Sequence, residues 1–285
     1  MKKIIITNFT DPVCCWCWGT EPVLRALETR YPGDIEIRCV MGGLVRDITD
    51  FEDPSNGIGG DISQINAQVA RHWLASSRVH RMPVTTEGFD LFSLEYGSTY
   101  PLNVAYKAAQ LASPKLADRY LRRLREASLT QAKQTNRQEI LDALARETGI
   151  DMAAFNQAIK DGSANRAFLT DLGLGQALKV SSFPTFLVKS AQARQVMMRG
   201  FNTRQDFERV FAQLTDGELK PLASPPEEEV LMWLLSTHGS LAREEVFQAF
   251  DFSNRDEADR FLKPFIDKGQ LIRVQAETGY LVRVN

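Results

Sequence analysis

The sequence predicts an α/β fold that carries a helical insertion and is followed by a small α+β unit. The first unit consists of two segments, residues 1–60 and 176–215, and both contain strand patterns. Residues 61–175, between these segments, have helical patterns and form the insertion. Residues 216–226 contain three of the twelve prolines of the chain, which is typical of a linker. Residues 227–285 then form the second unit.

The chain opens with the pattern of a strand, a helix and a second strand. Lys3–Phe9 are mostly apolar, as in a buried strand, and Trp18–Arg30 have a helical periodicity that ends before Pro32 and Gly33. Apolar side chains alternate along Ile35–Met41, which predicts the second strand. Because a helix connects the two strands, we expect them to lie parallel in one sheet.

Strand patterns return after the insertion. Thr185–Lys189 and Gln195–Arg199 have strand character, and Thr203–Leu214 has the pattern of a capped amphipathic helix. The block from Asp61 to about Val180 is expected to be helical throughout. The predicted order is therefore strand, helix, strand, a block of helices, and then helix, strand, strand, helix.

Residues 227–285 predict three helices and two short strands, an order that resembles a winged helix-turn-helix. We expect the third helix, Asn254–Asp267, to be broken by Pro264. The unit has eleven acidic and seven basic residues, whereas DNA binding needs several Lys or Arg contacts with phosphates. We therefore expect no nucleic-acid partner. A homodimer or client contact through this unit is the leading interpretation, and a lid that only packs on the first unit is the alternative. Truncation after about Thr215 is then expected to leave the cysteine chemistry intact.

The overall composition is that of a globular protein without a strongly charged surface. Of the 285 residues, 34 are Lys or Arg and 36 are Asp or Glu, a formal net charge of −2. This balance gives no indication of nucleic-acid or membrane binding. The apolar run Ile4–Ile6 is shorter than the ~7–15 residues of a signal-peptide core. We expect a cytoplasmic protein, in which a Cys-x-x-Cys pair is more often catalytic or metal-binding than structural.

Three cysteines lie within four residues at the junction of the first predicted strand and helix. Cys14 and Cys17 form a Cys-x-x-Cys pair, and Cys15 lies between them. A thiol at a helix N-terminus faces unpaired backbone N–H groups, which favour the thiolate and lower the pKa of the cysteine. The thiolate of Cys14 could attack a disulfide, and Cys17, one turn later, could then release the partner. The pattern predicts a redox-active pair.

A metal site and inert thiols are the alternatives. Zinc usually takes four ligands, and the remaining donors are Cys15, Cys39 and three dispersed histidines, so we expect no metal. Cys15 is open to three interpretations: a passive filler, an accessory attacking thiol or a soft-metal ligand. We interpret Cys39 as an inert core thiol, and His72 and His80 as ordinary surface or packing residues.

A second motif, Ser181–Phe186, places a proline at the start of a strand. Pro184 removes no central ladder bond there, and we expect a cis peptide bond between Phe183 and Pro184. The predicted topology brings this loop beside the cysteine pair. The loop residues Phe183, Pro184 and Thr185 are therefore candidates for substrate binding, chiefly through the backbones of Phe183 and Thr185. The side chain of Trp16 is a further candidate.

Together these motifs resemble the DsbA family. Asp11–Gly19, the Gly42-Gly43-Leu44 exit from the second strand and the loop at Pro184 are similar to those of the cytoplasmic, FrnE-like branch of protein-disulfide isomerases. The resemblance covers the first unit and implies a thioredoxin-like fold with a helical insertion. It also implies that Cys14 is the attacking thiol, Cys17 the resolving thiol and Pro184 the cis-proline.

By this resemblance the leading function is that of an enzyme, a thiol–disulfide oxidoreductase or isomerase acting on protein or small-molecule disulfides. It needs no cofactor beyond a Cys14–Cys17 disulfide, with glutathione as one candidate electron donor. Without a histidine between the cysteines, we expect a more reducing couple than in the periplasmic members. Two alternatives are an adaptor that delivers a client for degradation, as in the SpxH branch, and a glutathione-dependent isomerase or transferase of the kappa-class type, which would not need Cys17.

Overall fold

The computed structural model describes residues 3–285. Its first elements are the strand β1 (Ile4–Thr10), the helix α1 (Cys15–Arg30) and the strand β2 (Ile35–Met41). The two strands pair in parallel along their whole length, so the prediction of a parallel pair is confirmed. The cysteine pair therefore follows a central strand directly and opens the crossover helix.

The start of α1 lies three residues before the predicted start at Trp18. The helix begins at Cys15 because the side chain of Cys14 accepts a hydrogen bond from the N–H of Cys17 and so occupies the N-cap position. A cysteine is not among the usual N-cap residues, which explains why the sequence pattern did not reveal this boundary.

The insertion consists of helices that follow a short 3₁₀ turn, Pro54–Asn56. They are α2 (Ile62–His80), α3 (Tyr100–Ala112), α4 (Ala117–Leu129), α5 (Gln138–Thr148), α6 (Met152–Lys160) and α7 (Ser163–Ala177). The expectation of an all-helical block is wrong for residues 81–99, which form a loop. The reason is local: Arg81 adopts a left-handed conformation with φ 63°, which ends α2, and Pro83 follows.

The helices of the insertion share one large core with the first turn of α1. Trp18, Trp73, Tyr106 and Tyr120 are buried in it. Burying each large apolar side chain stabilises the fold by roughly 1.5–3 kcal/mol. This core holds the cysteine segment firmly against the insertion. No helix within residues 3–285 is long and apolar enough to cross a membrane.

Two antiparallel strands and a helix complete the thioredoxin-like part. β3 (Thr185–Ser190) pairs with β1, and β4 (Gln195–Arg199) pairs with β3, which gives the strand order β2-β1-β3-β4. Thr203 caps the helix α8 (Arg204–Leu214). The ring of Phe207 in α8 packs against Phe186 of β3 with 5.0 Å between centroids. An α/β fold of this class with a helical insertion is thus confirmed.

The C-terminal region is a small α+β unit. Its elements are α9 (Glu228–His238), β5 (Ser240–Ala242), α10 (Arg243–Ala249), α11 (Arg255–Asp267), β6 (Leu271–Ala276) and β7 (Gly279–Val284). The strands form an antiparallel sheet in the order β5-β7-β6. The predicted break at Pro264 is wrong, because α11 continues through it. The carbonyl that loses its partner belongs to exposed Arg260, where water can satisfy it.

This unit packs directly on the rest of the chain. The hydroxyl of Thr29 in α1 donates to the carbonyl of Ala249 at 2.8 Å. Thr278, at the turn between β6 and β7, accepts a hydrogen bond from the N–H of Val84 and donates its own N–H to the carbonyl of Val84. Leu219, in the connecting segment, is buried in the core under the first sheet. The connecting segment and the C-terminal unit are therefore fixed in position.

Candidate functional site

Cys14 and Cys17 lie at the first turn of α1, and the four cysteines are free thiols. The backbone N–H of Cys17 donates a hydrogen bond to Cys14 Sγ at 3.2 Å. The Phe183–Pro184 peptide bond is cis, and the carbonyl of Phe183 accepts a hydrogen bond from Cys14 Sγ at 3.7 Å. The fold thus brings the cysteine pair and the proline loop into one site.

A buried carboxylate, Asp11, fixes the loop that leads into the cysteine pair. It accepts hydrogen bonds from the N–H of Val13 at 3.0 Å and the N–H of Leu44 at 2.8 Å. The hydroxyl of Thr99 and the amide of Asn103 donate to Oδ2, the oxygen that also accepts from Leu44, at 3.2 and 2.8 Å. Burial raises the pKa of Asp11, although these hydrogen bonds oppose the shift. The carboxylate joins β1, the exit from β2 and α3.

Two glycines permit close approaches around the site. A methyl group on Gly42 would overlap the ring of Phe183, and one on Gly19 would overlap the ring of His80. Each ring therefore lies where only a glycine leaves room. The Gly42 contact explains physically why the chain leaves β2 through glycine beside the proline loop.

A cavity of about 550 Å³ opens beside the cysteine pair. Its lining combines thiols, aromatic rings and polar side chains, among them Cys14, Cys15, Trp16, His72, Trp73 and Phe183. A cavity of this size accommodates an apolar side chain of a protein or a small thiol compound. Cys14 is the member of the pair that lines it.

The two sulfurs of the pair titrate as a unit, because each one shifts the pKa of the other. Burial and the adjacent Cys17 hold the pKa of Cys14 well above its ordinary value. Burial also raises the pKa of Cys17, but the hydrogen bond from Cys14, the guanidinium of Arg125 and the hydroxyl of Thr10 outweigh it, so this pKa is lowered. This differs from the lowering predicted for Cys14: in the reduced pair, first the interaction with Cys14 and then the guanidinium of Arg125 favour charge on Cys17.

The accessible position therefore favours Cys14 as the attacking sulfur, whereas the lowered pKa favours Cys17. Cys14 reaches the cavity, while Cys17 is 3 % exposed and lies behind it. Because the two sulfurs titrate as a unit, the first proton lost belongs to the pair and not to Cys17 alone. Attack on a disulfide requires contact, and for this reason Cys14 remains the candidate nucleophile.

Cys15 contacts a histidine that the sequence did not single out. Its Sγ lies 3.2 Å from Nε2 of His72 at the edge of the cavity. Burial raises the pKa of Cys15 to about 12 and lowers the pKa of His72. Both groups are therefore neutral near pH 7, and the contact is that of a thiol with an imidazole. His72, which the sequence predicts to be an ordinary surface or packing residue, is partly buried and lines the cavity.

The two tryptophans of the motif have different roles. Trp16 is half-buried at the cavity, with its ring centroid 5.8 Å from those of His80 and Phe201. Trp18 is fully buried: its indole N–H donates to the carbonyl of Pro83 at 2.9 Å. Only Trp16 is placed to meet a substrate.

The proline loop offers mainly Phe183. Pro184 is buried, and its carbonyl accepts a hydrogen bond from the N–H of Gly200 at 2.8 Å. Thr185 is also buried and its hydroxyl donates to the carbonyl of Ser182 at 2.8 Å. Any contact of Pro184 or Thr185 with a substrate would thus involve backbone rather than exposed side chains.

The remaining candidate ligands lie apart. Within residues 3–285, groups of three or more His, Cys, Asp or Glu side chains suited to a metal ion are absent. Cys39 lies on β2, and burial raises its pKa. Arg125 is the site residue that sequence reasoning missed most completely, because no motif connects a residue of α4 with a cysteine more than a hundred positions earlier.

A cysteine pair at the start of the crossover helix, facing a cis-proline loop on a four-stranded sheet, defines a protein of the thioredoxin-like class. A family model described as thioredoxin matches residues 8–207, and the chain belongs to this family.

The curated relatives cover nearly the whole chain. The ClpXP adapter protein SpxH of Shouchella clausii is 27% identical over 289 residues, which covers 98% of this chain and 87% of the relative. SpxH of Bacillus subtilis is 23% identical, with 98% and 88% covered. These names are those of an adapter and not of the FrnE-like isomerase branch, which corrects that part of the expected relationship.

Solved structures share the fold over three quarters of the chain. The cytosolic disulfide reductase DsbM of Pseudomonas aeruginosa superposes with a TM-score of 0.54 and 21% identity, covering 75% of this chain and 94% of the reductase. A candidate protein disulfide isomerase of Nitrosomonas europaea gives 0.59 and 20%, with 75% and 97% covered. These similarities establish a DsbA-like fold.

Proposed function

We propose that this protein is an adapter that binds a protein client and presents it to a ClpXP-type protease in the cytoplasm. One observation carries the proposal: the curated SpxH relatives align with 98% of the chain, including the C-terminal unit. The solved reductase and isomerase structures cover only 75% of it. The C-terminal unit is thus a feature shared with the named adapters.

The geometry supports this proposal in a second way. An adapter must hold two surfaces in a fixed relation, and here the C-terminal unit is attached to α1 and to the insertion by partly buried hydrogen bonds. Apolar side chains are exposed on both parts, with Val79 at 61%, Phe201 at 38% and Trp233 at 45%. Exposed apolar side chains of this size are suited to contact with another protein.

The test compares protein half-lives in cells that lack this protein, cells that lack ClpX and the parent strain. A client should persist in both deletion strains, and the purified protein should accelerate its degradation by ClpXP. The variant with both Cys14→Ser and Cys17→Ser is the matched control, because it retains the surface and lacks the redox pair. We expect it to restore degradation. If every protein decays equally in the parent and in cells without this chain, the adapter function is wrong.

A second candidate function, thiol–disulfide exchange, is favoured by the position of Cys14 at the cavity beside Cys17. The Cys14 thiolate would attack a substrate disulfide, forming a mixed disulfide and releasing one substrate thiolate. Cys17, as thiolate, would then attack the Cys14 sulfur, release the second substrate thiolate and leave a Cys14–Cys17 disulfide. A small thiol such as glutathione, used twice, would reduce that disulfide and become oxidised.

Insulin reduction with single variants tests this second function. Cys14→Ser should abolish activity, and Cys17→Ser should accumulate mixed disulfides that mass spectrometry detects, because the resolving thiol is absent. Cys39→Ser is the control, and we expect it to behave as the wild type. Full activity of Cys17→Ser would instead indicate glutathione-dependent chemistry that needs a single thiol.

A further inference from the structure

A row of buried charged side chains runs from the C-terminal unit to the cysteine pair. The guanidinium of Arg122 in α4 donates two hydrogen bonds to Glu245 of α10, at 2.8 and 2.7 Å. The same guanidinium lies 3.6 Å from the carboxylate of Glu21 in α1. Glu21 in turn pairs with Arg125, which donates to the hydroxyl of Thr10 at 2.6 Å. The row crosses from α10 through α4 and α1 to β1.

Every charge in this row is removed from water. Glu245 is 0% exposed, Arg122 and Arg125 are each 3% exposed and Glu21 is 4% exposed. Buried charges are screened little by salt, so each one responds to its neighbours. The signs alternate along the row, and its last link is the hydrogen bond from Arg125 to Thr10, the residue of β1 at which the loop to the cysteine pair begins. The guanidinium of Arg125 and the hydroxyl of Thr10 both lower the pKa of Cys17.

We propose that Glu21, Arg122 and Glu245 are positioning residues that set, through Arg125, how strongly a thiolate at Cys17 is stabilised. The reasoning follows the alternation of sign. Glu245 pairs with Arg122 and so weakens the electrostatic attraction between Arg122 and Glu21. Glu21 consequently stays with Arg125 and offsets part of the positive charge that Arg125 directs at the sulfur. The C-terminal unit thereby acts on the redox pair without touching it. This inference concerns the ionisation of the pair and depends on neither proposed function.

Other charged and titratable groups also face the row. Arg122 pairs with Glu126 at 2.8 Å, and Arg25 lies 3.6 Å from Glu21. Arg25 also contacts Glu28, which pairs with His238 of the C-terminal unit. These groups form side branches.

Four further groups lie around the sulfur itself. Cys14 and Cys15 precede Cys17 at the start of α1. The side chain of Thr10, at the end of β1, and the backbone of Asp11, in the loop that follows, face the sulfur. The substitutions in the test leave these groups and the side branches in place, so differences between variants report the row.

The experiment measures the rate at which iodoacetamide alkylates the reduced full-length protein as a function of pH, with mass spectrometry to assign the Cys14–Cys17 peptide. The pKa obtained is that of the first proton lost by the pair. Arg125→Gln should raise it by roughly one unit and Arg122→Gln by about half a unit. Glu21→Gln and Glu245→Gln should each lower it by about half a unit.

The matched control is Glu244→Gln, at the neighbouring position of α10. Glu244 is also buried, but its carboxylate pairs with Arg255 at 2.7 and 3.0 Å and leads away from the cysteines. We expect no shift in this variant. Loosened packing would move all the substitutions in one direction, whereas the proposed row gives shifts of alternating sign.

Shifts of a single sign, or no shift in Glu245→Gln, would overturn the inference. If circular dichroism shows that a single variant is unfolded, the double variant with Arg122→Gln and Glu245→Gln removes one charge of each sign. Glu21 then keeps Arg125 and the side-branch Arg25 as partners and loses Arg122, and the pKa should rise by about half a unit. A fall or an unchanged value in the double variant would equally refute the proposal.

Discussion

At Gly42 the site has no room for a side chain, because an added Cβ would overlap the ring of Phe183. We predict that Gly42→Ala lowers the free energy of unfolding by about 1–3 kcal/mol, the usual cost of overpacking. Gly173→Ala is the control, because this glycine lies in α7 with open space around it. Alanine there should raise the free energy of unfolding by about 0.5–1 kcal/mol. Urea unfolding of both variants tests the prediction, and an unchanged stability of Gly42→Ala would contradict it.

The residues that the sequence could identify are those within motifs. Cys14, Cys17 and Pro184 stand in short local patterns whose chemistry is readable from spacing alone. His72 and Arg125 belong to helices of the insertion, and their ordinary helical context gives no signal. Their role depends on how the insertion folds back over α1, which is a long-range property that local periodicity does not contain.

At the scale of elements, the end of α2 predicts a dependence of stability on pH. His80, its last residue, is 2% exposed, and its Nδ1 accepts a hydrogen bond from the N–H of Met82 at 3.1 Å. Burial lowers the pKa of His80 to about 4. The unfolded chain takes up this proton near pH 6.5, but the folded chain does so only near pH 4. The free energy of unfolding should therefore fall as the pH is lowered through that interval.

The loss from His80 is on the order of 3 kcal/mol and is complete below about pH 4. Urea unfolding at several pH values measures it, and His80→Asn should remove that part of the slope while keeping an acceptor for Met82. The pKa of His72 is lowered too, so it contributes in both proteins, and the difference between them isolates His80. Parallel slopes for the two proteins would show that His80 is not the group responsible.

Elements with a strong repeat were predictable, and those set by tertiary contacts were not. The alternation in β2 gave its bounds, Ile35–Met41, and the turn chemistry around β4 gave Gln195–Arg199. β5 has three residues, too few for a pattern, and exists because β7 pairs with it. The loop of residues 81–99 was mistaken for helix because its apolar residues are buried against neighbours rather than along a helical face.

At the scale of the whole molecule, the C-terminal unit has an apolar core of its own and also shares buried residues with the core of the insertion. Ala242 and Leu281 belong to the same apolar cluster as the insertion. The buried pair of Arg122 and Glu245 crosses the same boundary. A net charge of 7 − 11 = −4 over residues 227–285 argues against a DNA-binding role for this unit. The shared core instead gives the unit a role in the stability of the fold.

This arrangement reverses the expected outcome of truncation after Thr215. Removal of residues 216–285 takes away Glu245 and leaves Arg122 without its closest partner. Breaking one partner from a buried ion pair costs about 3–5 kcal/mol, and the exposed core adds to that cost. We therefore predict that the truncated chain has a markedly lower Tm in calorimetry and an altered thiol pKa. The control is a full-length variant with Lys263→Ala and Asp267→Ala, which removes an exposed ion pair of α11 and should leave both quantities unchanged. A truncated chain with the Tm and thiol pKa of the full-length protein would show that the C-terminal unit is a separate domain.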